Sequence, residues 1–404
     1  MSGKKSVHPD VLKVSGLAIC VGALAGSASA LFLWLLKWAT ETRVAHPFLI
    51  ALLPIAGFGM SWIYLRLGKS VEGGTNLIVD EIHDPKATVP LRMAPLILLT
   101  TVGTHLFGGS AGREGTAIQM GGSLADQLSS RLGLKAENRR LLLMAGISAG
   151  FASVFGTPLA GAVFGLEVLA IGRMNYDALL PCFIGAWIGH QTTLAWGIHH
   201  DPYGIIAAPA LGLIPLAATL LAGACFGVTG SLFAETTHRI SAFLKNKVAY
   251  APLRSFIGGA AVATAVGAIG TTRYIGLGIP VIQESFRGAI PFHDFAAKFL
   301  FTAVTLGSGF KGGEVTPLFF IGSTLGNALS LILPLPLPLL AGMGFVAVFA
   351  GAANTPLATT LMALELFGSQ AGIYCGMACG VSYVFSGHSG IYRSQRIGTP
   401  KYPI

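Results

Sequence analysis

The segment Gly108-Gly109-Ser110-Ala111-Gly112-Arg113-Glu114-Gly115-Thr116 concentrates groups that could do chemistry. Its glycines leave backbone N–H groups open to close approach, and Arg113 adds positive charge. Both features suit an anion. Glu114 then sets a carboxylate where that anion would sit, and an ionisable group inside an apolar chain is a functional-site hypothesis by default. Ionised, Glu114 would occupy the anion site; protonated, it would withdraw and let the anion in. The same carboxylate also fits a helix N-cap paired with Arg113. Composition alone leaves both readings open.

A second segment echoes the first. Gly112, Glu114, Thr116, Gly122 and Ser123 recur as Gly312, Glu314, Thr316, Gly322 and Ser323. Thr157-Pro158-Leu159-Ala160 with Glu167 behind it recurs as Thr355-Pro356-Leu357-Ala358 with Glu365 at the same interval. Two independent pairs near one spacing define an internal repeat, with halves at residues 1–200 and 201–404. Glu314 mirrors Glu114 and has either a second charge role or, as we prefer, a structural one binding backbone N–H groups. Glu167 and Glu365, at matched positions, are expected to bond neighbouring helices.

The elements that position these groups must lie in lipid. Of the 404 residues, 53% are hydrophobic and 11% charged, where soluble domains carry roughly 25% charged residues. Uncharged runs near the ~20 residues of a membrane-spanning helix recur at 14–36, 93–112, 141–166, 178–198, 203–234, 255–272 and 366–389. The run 315–364 is too long for one element. Thus the expected fold is an all-α polytopic membrane protein. Its net charge of +9 lies between apolar runs, which argues against nucleic acid and follows the positive-inside rule. Lys4, Lys5 and Lys13, the loop with Arg239, Lys245, Lys247 and Arg254, and the tail with Arg393, Arg396 and Lys401 are therefore placed in the cytoplasm, termini included. The first span carries no cleavable-signal pattern. With that basic loop inside, the second half runs upside down relative to the first, and an ion site is expected near the midplane where the halves meet.

The 54 glycines cluster at 73–74, 108–115, 307–313 and 387–390. We read them as breaks that start half-helices inside the membrane, tolerated where protein or water covers the backbone. Free N–H groups at such starts bind anions. Cys20, Cys182, Cys225, Cys375 and Cys379 sit in apolar stretches and suit core packing. No zinc-ligand spacing and no phosphate-binding glycine loop occurs, so neither metal, cofactor nor ATP is expected. His199-His200-Asp201 reads as a solvated loop between the halves.

Gly112-Arg113-Glu114-Gly115 before an apolar helix, with Phe155-Gly156-Thr157-Pro158-Leu159-Ala160-Gly161 downstream, resembles the CLC family of anion channels and proton-coupled exchangers. The resemblance covers essentially the whole chain. It implies a homodimer of inverted halves with one anion pathway per subunit, and its gating glutamate maps onto Glu114. Three departures are informative. Thr116 stands where chloride-handling members carry Pro. Their Gly-Ser-Gly-Ile-Pro motif is absent near Gly73-Gly74-Thr75-Asn76-Leu77, while Gly276-Leu277-Gly278-Ile279-Pro280 lies in the other half as a repeat counterpart. Their Gly-x-Phe-x-Pro segment is replaced by Gly312-Gly313-Glu314-Val315-Thr316-Pro317.

Together these changes resemble the bacterial fluoride-exporting branch, whose ion contacts carry over to Asn76 or its neighbour Thr75 and to Thr316. Tyr392 matches the family's tyrosine near the inner end of the pathway; by itself it would read as an interfacial anchor. Fluoride is small and strongly hydrated, so its site must offer strong donors, which hydroxyl, amide and backbone N–H groups supply. Thr316 also fits a helix N-cap before Pro317. Phe319 and Phe320 would either turn ring edges to the anion or pack helices. Where proton-coupled chloride members carry a second, inner glutamate, this chain has Val168. The expected activity is therefore fluoride/proton antiport across a bacterial inner membrane. Its anion site comprises Glu114, Thr75, Asn76, Gly112, Arg113, Gly115, Thr116, Thr316 and Tyr392, and chloride is a weaker ligand. A chloride exchanger or channel of the same fold is the near rival, and an intramembrane enzyme built on Ser110 and His105 the distant one.

Overall fold

A computed structural model describes residues 9–200, 203–204 and 206–402; Lys4, Lys5 and Asp201 lie outside them. Among the described residues sixteen α-helices fall into two consecutive sets that match in order. The first runs α1 (Pro9–Ala45), α2 (Leu53–Leu67), α3 (Thr75–His83), α4 (Met93–Leu106), α5 (Glu114–Arg131), α6 (Ala136–Phe155), α7 (Pro158–Glu167) and α8 (Leu179–Ala195). The second runs α9 (Leu213–Lys247), α10 (Ala251–Ile269), α11 (Ile279–Ser285), α12 (Asp294–Gly307), α13 (Val315–Leu329), α14 (Leu337–Ala353), α15 (Pro356–Phe367) and α16 (Ser369–Phe385). Each set opens with a helix of 37 or 35 residues and has its shortest member third.

Segments long and apolar enough to cross a bilayer are 11–45, 47–67, 213–247 and 251–269, the leading pair of each set. At 1.5 Å per residue, α1 is about 55 Å long, well beyond the ~30 Å hydrocarbon core, so it must tilt or project. Among the other helices, α5, α6, α13 and α14 are largely buried by the rest of the fold. Glycine makes their pairing possible. A Cβ on Gly146 of α6 would fall 2.7 Å from the Ala125 Cβ and 2.6 Å from the Gly121 oxygen of α5. Gly322 and Gly344 bring α13 and α14 together at the matching place. With lipid as solvent, such close packing replaces the hydrophobic drive.

The glycine breaks at 73–74, 108–115 and 307–313 do start helices, at Thr75, Glu114 and Val315. The cluster at 387–390 does not: it ends α16 and leads into the tail. The apolar run 203–234 likewise becomes helix only from Leu213, and 141–166 is two helices split at Gly156, which adopts φ +75°. The basic loop is narrower than its charges imply, because α9 continues to Lys247 and α10 begins at Ala251.

The tail is packed. Its strand β2 (Arg396–Ile397) pairs in parallel with β1 (Ala170–Ile171). Gln395 Nε2 donates 2.8 Å bonds to the Val168 and Ala353 oxygens, tying both sets of helices together. Lys401 Nζ donates to the Asn354 Oδ1 at 2.6 Å, and Arg396 pairs with Asp84.

Candidate functional site

Glu114 is the first residue of α5 and is completely buried. The first-turn N–H groups of a helix have no intrahelical partner, and here two such starts meet. Gly112 and Gly313 form an antiparallel bridge, exchanging N–H···O bonds of 2.6 and 2.9 Å. This bridge sets the start of α13 against the start of α5. The Glu114 carboxylate then draws on both helices: Oε2 accepts the Arg113 N–H at 3.0 Å and the Thr316 N–H at 3.1 Å. Oε1 accepts the Thr316 hydroxyl and lies 3.5 Å from Arg113 Nε. A carboxylate oxygen here occupies the kind of donor set that would bind a small anion.

Several of the expected site residues make contacts within the protein. The Gly112 N–H donates to the Gly313 oxygen and so holds the bridge. Thr116 turns away, its hydroxyl 2.8 Å from that of Thr101 on α4. Gly115 lies in the first turn of α5, against the backbone of Gly313. Thr316 is not the N-cap of its helix: α13 starts one residue earlier, which turns its hydroxyl over to Glu114. Among the described residues the Glu314 carboxylate accepts no hydrogen bond from another residue's N–H, although its backbone oxygen accepts that of Leu318 at 3.1 Å. Glu167 and Glu365 take the role expected of it, reciprocally. Glu167 accepts the Leu357 and Ala358 N–H groups at 3.0 and 2.8 Å, and Glu365 accepts those of Leu159 and Ala160, both at 2.9 Å. Each glutamate thus caps the helix that carries the other.

A cavity of about 20 Å³ touches the site, lined by Arg113, Glu114, Thr316, Phe155, Phe319 and Phe345 with His200, Tyr203, Ile279 and Leu366. A void of about 10–15 Å³ admits one water, so this one holds a single water-sized particle. Phe319 stacks on Phe345 at 4.0 Å and forms its wall. Phe320 faces elsewhere, under the Lys298 ammonium at 5.3 Å. His200 is half-buried: Nε2 bonds the Ser153 oxygen at 3.0 Å and the ring reaches the cavity. A larger cavity of about 700 Å³ shares Arg113, His200 and Ile279 and extends to Lys37 and Glu41 of α1. No sequence signal marked Phe345, since an apolar residue in an apolar chain carries no pattern, and Phe155 and Ile279 stood out only as members of motifs, not as cavity walls.

Asn76 and Tyr392 form a second locus. Asn76 Oδ1 accepts the Ser394 N–H at 3.1 Å. Because that partner can only donate, the amide orientation is fixed and the Asn76 NH₂ points its donors elsewhere. Thr75 opens α3 beside it, half-buried. Tyr392 is only 5% exposed, so it is no interfacial anchor. Its hydroxyl is buried and finds no hydrogen-bond partner among the described residues. Its ring meets Phe164 edge-on at 6.2 Å, and Phe164, Phe151, Phe155 and Phe319 continue in contact toward the Glu114 cavity. Ser110 and His105 form no nucleophile–base pair, since the Ser110 hydroxyl donates to the Tyr274 oxygen and His105 Nε2 lies 3.5 Å from the Gly112 oxygen.

Residues 56–387 match the family described as voltage gated chloride channel. A chloride/fluoride channel protein of Pseudomonas syringae pv. tomato is 57% identical over 98% of this chain and 88% of its own length. The crystal structure of a CLC-type fluoride/proton antiporter superposes with a TM-score of 0.93 at 33% identity, covering 98% of this chain and 100% of the other. A slow cyanobacterial Cl⁻/H⁺ antiporter shares the fold, with a TM-score of 0.80 at 22% identity over 96% and 97% of the two chains.

Proposed function

The chain belongs to the voltage-gated chloride channel (CLC) family of membrane proteins, and from that premise we propose that it exports fluoride in exchange for protons. The observation that carries this reading is the Glu114 carboxylate, bound by the Thr316 hydroxyl and by N–H groups of two helix starts beside a void of one water's size. Ionised, Glu114 fills those donors. Charge-assisted bonds of this kind are roughly twice as strong as neutral ones, so protonation of the carboxyl weakens its hold and releases the donors to an anion. The ionised carboxylate and the anion then exclude each other at one set of donors, so anion entry is linked to protonation of Glu114. The void suits fluoride, close to water in size, better than chloride. The names of the 57% identical bacterial relative and of the 33% identical antiporter point the same way.

Residues 1–200 and 201–404 are read as repeats of inverted topology, with the reciprocal Glu167 and Glu365 caps on either side of the axis between them. Asn76 and Tyr392 offer an amide and a phenol to the ion further in, and chloride is a weaker competitor. The assembly is taken as a homodimer in a bacterial inner membrane with both termini cytoplasmic. The test is proton-coupled fluoride efflux from liposomes loaded with fluoride. Chloride moving as fast as fluoride in competition would replace the reading with chloride exchange. Unchanged coupling in Glu114→Gln would remove Glu114 from the mechanism.

A further inference from the structure

Away from the anion site, a cavity of about 230 Å³ opens where α2, α9 and α12 end and α10 begins. Three basic side chains from three elements line it: Lys245, Arg254 and Lys311. One carboxylate, Glu72, opposes them, and Ser61 and Ser241 add hydroxyls. Helix C-termini attract cations, which accounts for basic residues near this place. It does not account for their incomplete pairing. Arg254 Nε is buried with no hydrogen-bond partner among the described residues, and its Nη2 has only a 3.4 Å contact with the Ala249 oxygen. The Lys311 ammonium stands 4.2 Å from the centre of the Tyr64 ring. Such groups leave donors and net positive charge facing a void.

The surroundings define the ligand. Two walls of the cavity, α2 and α10, lie in the least buried of the spans long enough to cross a bilayer, with 22% and 33% of their apolar windows covered by protein. Trp62 and Leu65 of α2 and Phe256 and Ile257 of α10 are exposed beside it. A basic pocket between lipid-facing helices at the membrane surface suits an anionic headgroup. We propose that this cavity binds the phosphate headgroup of an anionic phospholipid, whose chains lie along α2 and α10, with Arg254 and Lys311 as the principal phosphate donors.

The full-length protein is reconstituted in vesicles of phosphatidylglycerol with phosphatidylcholine or of phosphatidylcholine alone. Retained lipid is read by native mass spectrometry and stability by thermal unfolding. Wild type retains phosphatidylglycerol and is stabilised by it. Lys311→Gln and Arg254→Gln each weaken retention about fivefold, the weight of one basic residue near an anionic surface, and Arg254→Lys keeps part of it. Lys247→Gln, which removes a nearby charge outside the cavity, leaves retention at wild-type level. Equal retention by wild type and both Gln variants would overturn the proposal, as would an equal loss in Lys247→Gln. Inorganic phosphate stabilising the protein as well in phosphatidylcholine alone would assign the site to free phosphate instead. Because the readouts are lipid retention and stability, the outcome is independent of the fluoride reading.

Discussion

The hydroxyl of Thr316 donates to the carboxylate of Glu114 although 202 residues separate them in sequence. The two meet because Gly112 and Gly313 form a bridge with reciprocal bonds, so the start of α5 and the start of α13 converge on one point. In the proposed mechanism the anion takes its donors from that carboxylate.

Thr316→Val keeps the shape of the side chain and removes the hydroxyl. A hydrogen bond to a charged group is worth about 1.5–3 kcal/mol, so the apparent fluoride affinity in a flux titration should fall by roughly tenfold or more. Thr316→Ser should restore most of it. Equal affinity in Thr316→Val and wild type would take this hydroxyl out of the ion path.

Tyr392→Phe separates function from stability. The phenol hydroxyl has no partner among the described residues, so its loss leaves no protein group unpaired and thermal stability should hold or rise. Fluoride transport should slow at subsaturating fluoride. A drop in stability with normal transport would mean that the hydroxyl serves packing.

Asn76→Asp keeps an acceptor for the Ser394 N–H, 3.1 Å away, but removes the amide donors that face the other way. The variant should fold and should lose fluoride uptake at neutral pH. Retained transport would shift the inner contact to Thr75.

Glu167→Gln and Glu365→Gln each weaken a cap that receives two backbone N–H groups. Each should cost about 1–3 kcal/mol of stability, read as a lower unfolding temperature in detergent, with the ratio of protons to fluoride unchanged. A change in that ratio would make the pair part of the proton path.

What the sequence made legible was what repeats or breaks. The echo of Thr157-Pro158 with Glu167 in Thr355-Pro356 with Glu365 located the reciprocal caps, and the glycines before Thr75, Glu114 and Val315 marked the helix starts. Direction within a helix was not legible. Thr116 and Thr316 occupy matched positions, yet one hydroxyl meets Thr101 and the other Glu114, because the helix packed alongside decides which way a polar side chain turns. Nor did the chain announce that His200 would close the cavity from a connecting segment, or that Gln395 and Lys401 would fasten a basic tail to the helix ends. Those contacts depend on residues far apart in sequence and carry no local pattern.

The most direct measurement of the central claim is simultaneous fluoride efflux and proton uptake in liposomes containing wild type or Glu114→Gln. Wild type should move protons inward as fluoride leaves. Glu114→Gln, with no titratable group among the donors of Arg113 and Thr316, should let protons no longer follow fluoride. Proton uptake matching fluoride efflux in the variant as it does in wild type would contradict the account.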